Sequence, residues 1–173
     1  MQKVKLPLRL DPIKAAQKRS DYNGIIESRH AKRLARSCKS VESDIEAHLS
    51  FGVDEQNLKV VSGKANVEVM LECQRCGDCF PYHLEVEFLY SPLLNPERAD
   101  ELPEIYELLE LDENGEIDLL QIIEDEFILA LPQYPMHELN ECSVNKANFS
   151  FGEIPEEDEK PNPFAVLESL KKK

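Results

Sequence analysis

The sequence contains no uninterrupted apolar run of about 18 residues, the length that a membrane-crossing helix requires. Its first residues, MQKVKLPLRLDPIK, also hold no apolar segment long enough for a signal peptide. Its six glycines are spread singly, so a glycine-rich phosphate-binding loop is absent. These absences predict a cytoplasmic protein without membrane spans, in a reducing compartment where its five cysteines do not form a disulfide framework.

Patterns typical of catalysis are also scarce. No nucleophile pattern accompanies the four scattered histidines, which are His30, His48, His83 and His137. The carboxylates of residues 124–126 lie in a segment with the pattern of a core-packed helix, where such a run usually forms the solvent-facing side. We therefore expect no enzymatic activity and no small-molecule substrate.

Charge is divided unevenly along the chain, whose formal net charge is −14. Residues 1–39 hold eleven Lys/Arg and three Asp/Glu, whereas residues 40–173 hold nine Lys/Arg and 31 Asp/Glu. Such segregation indicates an anionic partner for the basic segment and a cationic partner for the acidic body. The alternative is a solvated pair of basic helices on an acidic body.

Three successive segments alternate apolar and polar residues with a period of two: residues 45–51, 64–71 and 80–90. This pattern predicts an antiparallel, meander-like sheet with one buried face. Asp118 has capping-box spacing to Gln121, and Pro132 stops the helical pattern near residue 131. The predicted fold class is therefore α+β, an antiparallel sheet covered by a helix at about 118–131, with a zinc-knuckle-like cysteine loop.

The N-terminal segment is predicted to hold one strand and short helices. Residues 4–10 alternate as a half-buried strand, and Asp11 with Pro12 favours the start of a helix that ends near Arg19. Residues 29–36 are expected to form a second short helix. One face of this helix would be cationic and contact RNA phosphate by charge, and its candidate residues are Arg29, Lys32, Arg33 and Arg36. A solvated helix face is the competing interpretation.

The composition predicts a single α+β domain over residues 1–152, which includes the basic segment 1–39. Residues 153–160 have the pattern of an acidic, proline-bearing linker. Residues 161–173 are predicted to form a C-terminal arm with a short apolar motif and three terminal lysines. An apolar motif on such an arm is typical of segments that dock on their own domain or on a partner.

The cysteine spacing indicates the most specific chemistry. Cys73 and Cys76 are separated by two residues, so their thiols can face one point and suit a tetrahedral metal or a reversible disulfide. His137 and Cys142 follow the predicted helix and would complete a closed Cys3His set, which leaves no position for a substrate water. Cys79 forms an overlapping pair with Cys76 and is the alternative ligand. Redox-active or vestigial thiols are the competing interpretation.

Several stretches together resemble the YceD family of bacterial and plastid proteins: MQKVKLPLRLDPIKAAQKRSDYNG, LECQRCGDCF, GEIDLLQIIEDEFILALP and KPNPFAVLESLKKK. The likeness extends over nearly the whole chain and lies in the order and spacing of the stretches. It implies a role in the accumulation of large-subunit 23S ribosomal RNA, through its synthesis, processing or stability. The family has no established enzymatic activity.

Many members of this family carry a second cysteine pair shortly after the Leu-Pro that ends the helix, and His137 replaces one of those cysteines here. The resemblance thus implies Cys73, Cys76 and Cys142 as ligands of a structural zinc, with His137 fourth and Cys79 as alternative. It favours a non-enzymatic factor in large ribosomal subunit biogenesis whose partners are ribosomal RNA or pre-ribosomal particles, with a basic ribosomal protein as the candidate cationic partner of the acidic body. A thiol- or metal-responsive regulator that uses the CxxC cysteines is the alternative function.

Overall fold

Strands make up most of the regular secondary structure, and the longest of them alternate buried and exposed residues. The structure is a computed structural model that describes residues 4–93, 102–144 and 152. A 3₁₀ turn, Ser28–His30, lies between the second strand and the second helix. In chain order the strands and helices are β1 (Arg9–Leu10), α1 (Pro12–Lys18), β2 (Asp21–Ile26), α2 (Leu34–Ser37), β3 (Ser40–Val41), β4 (Ile45–Val53), β5 (Lys59–Glu72), β6 (Cys79–Pro92), β7 (Glu107–Leu109), β8 (Ile117–Asp118) and α3 (Leu119–Ala130). The fold is α+β with a mainly antiparallel sheet, as predicted.

The chain divides into two compact units, Met1–Cys142 and Ser143–Lys173. Every helix and strand of the described residues lies in the first unit. The predicted linker 153–160 and arm 161–173 lie outside the described residues, so the domain boundaries stay predictions. Within the described ranges, no helix combines the length and the apolar character needed to pass through a membrane.

The main sheet contains six strands, in the order β2-β4-β5-β6-β7 with β3 beside β5. Strands β4, β5 and β6 pair antiparallel, and their register places alternate side chains on one buried face, such as Val67 opposite Leu84. Strand β7 pairs in parallel with the end of β6. Residues 107–109 therefore extend the sheet by one strand next to β6.

Helix α3 begins at the residue that its sequence predicts. The Asp118 side chain accepts a hydrogen bond from the Gln121 N–H at 3.0 Å, which caps the helix. Apolar side chains four residues apart are fully buried in the core: Leu119, Ile123 and Phe127. The helix packs against β6 and ends before Pro132. Because these contacts hold α3 in the core, the segment 133–142 begins from a well-defined position at the end of the helix.

The N-terminal segment differs from its prediction in two places. Only β1 and a single bridge between Lys5 and Ile25 remain of the strand predicted over residues 4–10. Residues 29–36 form no continuous helix, because the 3₁₀ turn ends at His30 and α2 starts only at Leu34. The four candidate RNA contacts therefore do not share one helix face.

Glu124 explains where α2 starts. The sequence assigned this carboxylate to the solvent-facing side of α3, yet the residue is only 3% exposed. Its Oε1 accepts hydrogen bonds from the backbone N–H groups of Arg33 at 2.7 Å and Leu34 at 3.0 Å. Arg33, at the N-cap of α2, makes no side-chain cap of its own. Glu124 thus caps α2 from another helix and satisfies N–H groups that would otherwise be buried without partners.

Candidate metal centre

The first half of the site is the turn between β5 and β6. Cys73 follows β5 directly, and its N–H donates to the Asp78 carbonyl at 2.9 Å. The Gly77 N–H donates back to the Cys73 carbonyl at 2.8 Å, which closes the turn. Gly77 has a φ of +82°, a left-handed conformation that glycine adopts without steric cost. This geometry directs the thiols of Cys73 and Cys76 to the same side.

The second half is the irregular segment after α3. The Gln74 N–H donates to the Pro135 carbonyl at 2.9 Å, and the Gln74 side-chain amide donates to the Gln133 carbonyl at 3.3 Å. These bonds attach the segment to the tip of the β5–β6 turn. His137 and Cys142 therefore lie beside Cys73 and Cys76, although more than 60 residues separate the two halves in the chain.

The structure brings all four predicted ligands together. One ligand atom from each of Cys73, Cys76, His137 and Cys142 lies within 4.8 Å of the other three. The Cys76 Sγ and His137 Nε2 are 3.7 Å apart. Zinc–sulfur bonds of about 2.3 Å and zinc–nitrogen bonds of about 2.0 Å place sulfur and nitrogen about 3.5 Å apart across a tetrahedron. The donor set and the spacing fit a structural zinc ion after a contraction of about 1 Å at its widest separation.

The environment of Cys73 favours the thiolate form of its side chain. Burial of Cys73 opposes its thiolate, but hydrogen bonds from the backbone N–H groups of Arg75, Cys76 and His137 outweigh burial and lower the pKa of Cys73 to about 6. The His137 ring packs edge-on against Phe80, with the ring centroids 5.3 Å apart. Its Nδ1 is buried and has no hydrogen-bond partner among the described residues. The other ring nitrogen, Nε2, lies beside the Cys76 sulfur, where its lone pair can bind a cation.

Arg75 links the two halves of the site. Its Nε donates to the Cys142 Sγ at 2.8 Å, and its Nη2 donates to the His137 carbonyl at 2.8 Å. The hydrogen bond to Cys142 also raises the pKa of the guanidinium. Sequence reasoning missed this residue, although its position between two candidate ligands could have indicated it. The planar guanidinium bridges a ligand sulfur and the backbone of a second ligand.

Two further cysteines lie outside the cluster. Cys79 is exposed at the first residue of β6 and does not belong to the group of four donors. Cys38 is half-buried after α2, and its Sγ donates to the carbonyls of Leu34 and Ser40. Burial raises the pKa of the Cys38 thiol. Neither thiol is among the grouped donors that could hold a metal.

The four candidate RNA contacts differ in whether they form ion pairs. Arg29 pairs with Glu27, and Arg33 pairs with Asp125. Lys32 and Arg36 form no ion pair within the residues that the structure describes. Arg36 lines a surface recess whose other walls include Cys38, Gln74 and Pro135. One unpaired cation of the basic segment therefore lies next to the metal-site turn.

The fold and the cluster together define a small α+β protein with a Cys3His site between a strand turn and the segment after a helix. A family model described as large ribosomal RNA subunit accumulation protein YceD matches residues 61–171. A Haemophilus influenzae protein with that same description is 54% identical over 174 residues, which cover 100% of both chains. The chain belongs to the YceD family, which confirms the resemblance of its sequence motifs. No solved structure matches the chain.

Proposed function

We propose that this protein is a non-enzymatic factor in large ribosomal subunit biogenesis that supports the synthesis, processing or stability of 23S ribosomal RNA. The observation that carries the proposal is the full-length similarity to the Haemophilus influenzae protein described by large ribosomal RNA subunit accumulation. The partners would be ribosomal RNA or pre-ribosomal particles. The acidic body would contact a basic protein of such a particle.

A comparison of a gene-deletion strain with the same strain complemented by the wild-type gene tests this function. We expect the ratio of 23S to 16S ribosomal RNA to fall in the deletion strain and to recover on complementation. An unchanged ratio during growth would overturn the proposal. Purified protein incubated with precursor ribosomal RNA should leave the RNA intact, and cleavage would contradict the non-enzymatic assignment.

Structural zinc is the metal that the cluster fits. Three thiolates and one neutral imidazole give a closed sphere, and with a divalent cation the site carries a net charge of −1. The Arg75 guanidinium, bonded to the Cys142 sulfur, supplies the compensating charge. Such an ion would join the β5–β6 turn to the segment after α3 without a role in chemistry. Zinc bound by four protein ligands has no open position for substrate.

Elemental analysis and thiol titration test the zinc assignment. We expect one zinc per chain and protection of the three cluster thiols, with Cys38 and Cys79 outside the metal sphere. Cys142→Ser should lose the metal. Cys79→Ser is the matched control because it removes a nearby thiol outside the cluster, and it should retain the metal. If Cys142→Ser keeps the metal and Cys79→Ser loses it, Cys79 is the ligand in place of Cys142.

Direct contact with ribosomal RNA is assigned to the basic segment. Arg29 and Arg33 pair with carboxylates, so Lys32 and Arg36 are the two of the four candidates that are more available to phosphate. Each contact with a phosphate releases counterions from the RNA, and this release contributes to the affinity. RNA binding should therefore weaken steeply as the salt concentration rises. The proximity of Arg36 to the turn that carries the metal ligands would place the RNA contact beside the zinc site.

Charge reversal tests the RNA contact. Lys32→Glu combined with Arg36→Glu should reduce crosslinking to ribosomal RNA in cells by about tenfold and should flatten the salt dependence of RNA binding. Lys59→Glu, a cation of β5 outside the basic segment, is the control and should leave crosslinking unchanged. If reversal of all four candidates, Arg29, Lys32, Arg33 and Arg36, also leaves crosslinking unchanged, the RNA contact lies elsewhere.

A thiol- or metal-responsive regulator is the second candidate function. The observation in its favour is the exposed thiol of Cys79, directly after the turn that carries Cys73 and Cys76. Freshly purified protein would then be free of metal, and its thiols would oxidise readily. One tightly held zinc with protected thiols would eliminate this function.

A further inference from the structure

Among the residues that the structure describes, strand β6 has a partner strand along only a short part of one edge. It pairs with β5 from Cys79 to Tyr90, whereas β7 pairs only with Tyr90–Pro92 on the other side. Within the described residues no strand pairs with the outer edge of residues 79–89. Residues 83–89 alone would span about 23 Å, which is the length of an ordinary strand.

The register shows which backbone groups point outward. The Cys73 N–H bonds to the Asp78 carbonyl, and this pair continues the β5–β6 ladder beyond Glu72 and Cys79. Hydrogen-bonded pairs alternate along an antiparallel ladder, so even-numbered residues of β6 bond to β5. The N–H and C=O groups of the odd-numbered residues therefore face the open edge, namely His83, Glu85 and Glu87. Pro81, which has no N–H, also faces that edge, as prolines in sheets usually do.

The side chains along this edge are acidic on the solvent-facing side of the sheet. On that side β5 and β6 present one lysine, Lys64, and four glutamates, Glu68, Glu72, Glu85 and Glu87. Lys64 pairs with Glu87, and His83 pairs with Glu68. Glu85 is exposed and has no ion pair in the described part of the chain. A strand added here would place its own alternate side chains beside the solvent-facing side chains of β6 itself, which include Glu85 and Glu87.

We propose that the open edge of β6 binds an extended, Lys/Arg-containing segment of a partner protein by strand addition. The unpaired backbone groups of His83, Glu85 and Glu87 would supply main-chain hydrogen bonds, and the glutamates would select cationic side chains. A second copy of this chain is a poorer match, because antiparallel pairing of two β6 edges centred on Glu85 places that carboxylate opposite its own copy. The inference deepens the proposed contact between the acidic body and a basic protein.

A labelled ten-residue peptide in which Lys and Val alternate is the probe, and fluorescence anisotropy with full-length protein measures its binding. Binding should slow hydrogen exchange at the N–H groups of His83, Glu85 and Glu87. A Glu/Val peptide of the same length should bind at least tenfold more weakly. Equal binding of both peptides, or no binding of the Lys/Val peptide, overturns the proposal.

Glu85→Pro tests the backbone contribution, because proline is tolerated at an outward-facing edge position and removes one donor. Its affinity should be about fivefold lower than that of Glu85→Ala, which loses the carboxylate but keeps the N–H. A Lys/Val peptide N-methylated on alternate residues should fail to bind wild-type protein, which tests the same point without a protein variant. Equal affinities in both comparisons overturn strand addition.

Two other occupants are separate outcomes of the same experiments. Protection of the three N–H groups that rises with protein concentration in the absence of peptide would assign the edge to a second copy and overturn the proposal. Protection that is independent of concentration and already present in the free protein would mean that the chain covers its own edge, which also overturns it. Either result leaves the dependence of 23S ribosomal RNA on the gene unaffected, so the two proposals fail separately.

Discussion

Glu124→Ala should destabilise the protein far more than its place in an acidic run suggests. The carboxylate is 3% exposed and accepts hydrogen bonds from the N–H groups of Arg33 and Leu34. Leu34 is itself fully buried, so water cannot easily replace the lost acceptor. A buried donor without a partner costs about 1–3 kcal/mol, so the substitution should lower the free energy of unfolding by about 3 kcal/mol.

Two variants separate the acceptor from other effects of the substitution. Glu124→Gln keeps a side-chain oxygen at nearly the same position, so it should lose only about 1 kcal/mol, the difference between a charged and a neutral acceptor. Asp125→Ala removes the neighbouring carboxylate, which pairs with the Arg33 guanidinium at the surface. It should remain close to wild type because exposed ion pairs contribute little.

Urea unfolding followed by circular dichroism measures all three variants. A loss of about 3 kcal/mol in the free energy of unfolding should also lower the melting temperature of Glu124→Ala by about 6–12 °C for a chain of this size. Two results would refute the reasoning. One is equal stability of Glu124→Ala and Asp125→Ala, and the other is an equal loss in Glu124→Gln and Glu124→Ala.

Three further predictions concern the metal site and the sheet. Arg75→Ala should weaken zinc binding about 10- to 100-fold in competition with a chromophoric chelator, and Arg75→Lys should not restore it because lysine lacks the guanidinium fork. Wild-type affinity in both variants would contradict this. Gly63→Ala should cost about 1–3 kcal/mol in urea unfolding, because its Cβ would lie 2.1 Å from the Phe88 ring. Gly52→Ala is the control, since nothing lies within 4 Å of its Cβ. Chelation of the metal should speed hydrogen exchange in the two ligand-bearing segments while the core strands stay protected, and uniform loss of protection would refute a local role.

Local patterns account for the parts of the fold that the sequence predicts. Period-two alternation identifies long strands because one face of each is buried, and Asp118 identifies the start of α3 because its side chain satisfies an N–H of the first turn. Cys73 and Cys76 indicate their chemistry because a two-residue separation lets two thiols bind one metal ion. These features depend on neighbours within a few positions of the chain.

Contacts between distant residues account for the parts that the sequence did not predict. The basic residues 29–36 have helical spacing, but the backbone there bonds to Glu124 about 90 residues away and so starts its helix only at Leu34. Glu124 itself looks like a surface residue, since nothing nearby in the chain indicates a buried partner. Arg75 is similar, because its two acceptors belong to a segment more than 60 residues later.

Helix α3 connects the two features on which the proposed function depends. Through Glu124 it holds the backbone of the basic segment, and beyond its last turn the chain continues into the segment that carries His137 and Cys142. Leu119, Ile123 and Phe127 anchor the helix in the core, so the positions of both features follow from the packing of one element. A metal that fixes the segment after α3 would then also hold the turn beside Arg36 in place. RNA contact and zinc occupancy should therefore be coupled through rigid neighbours, without any movement of the sheet.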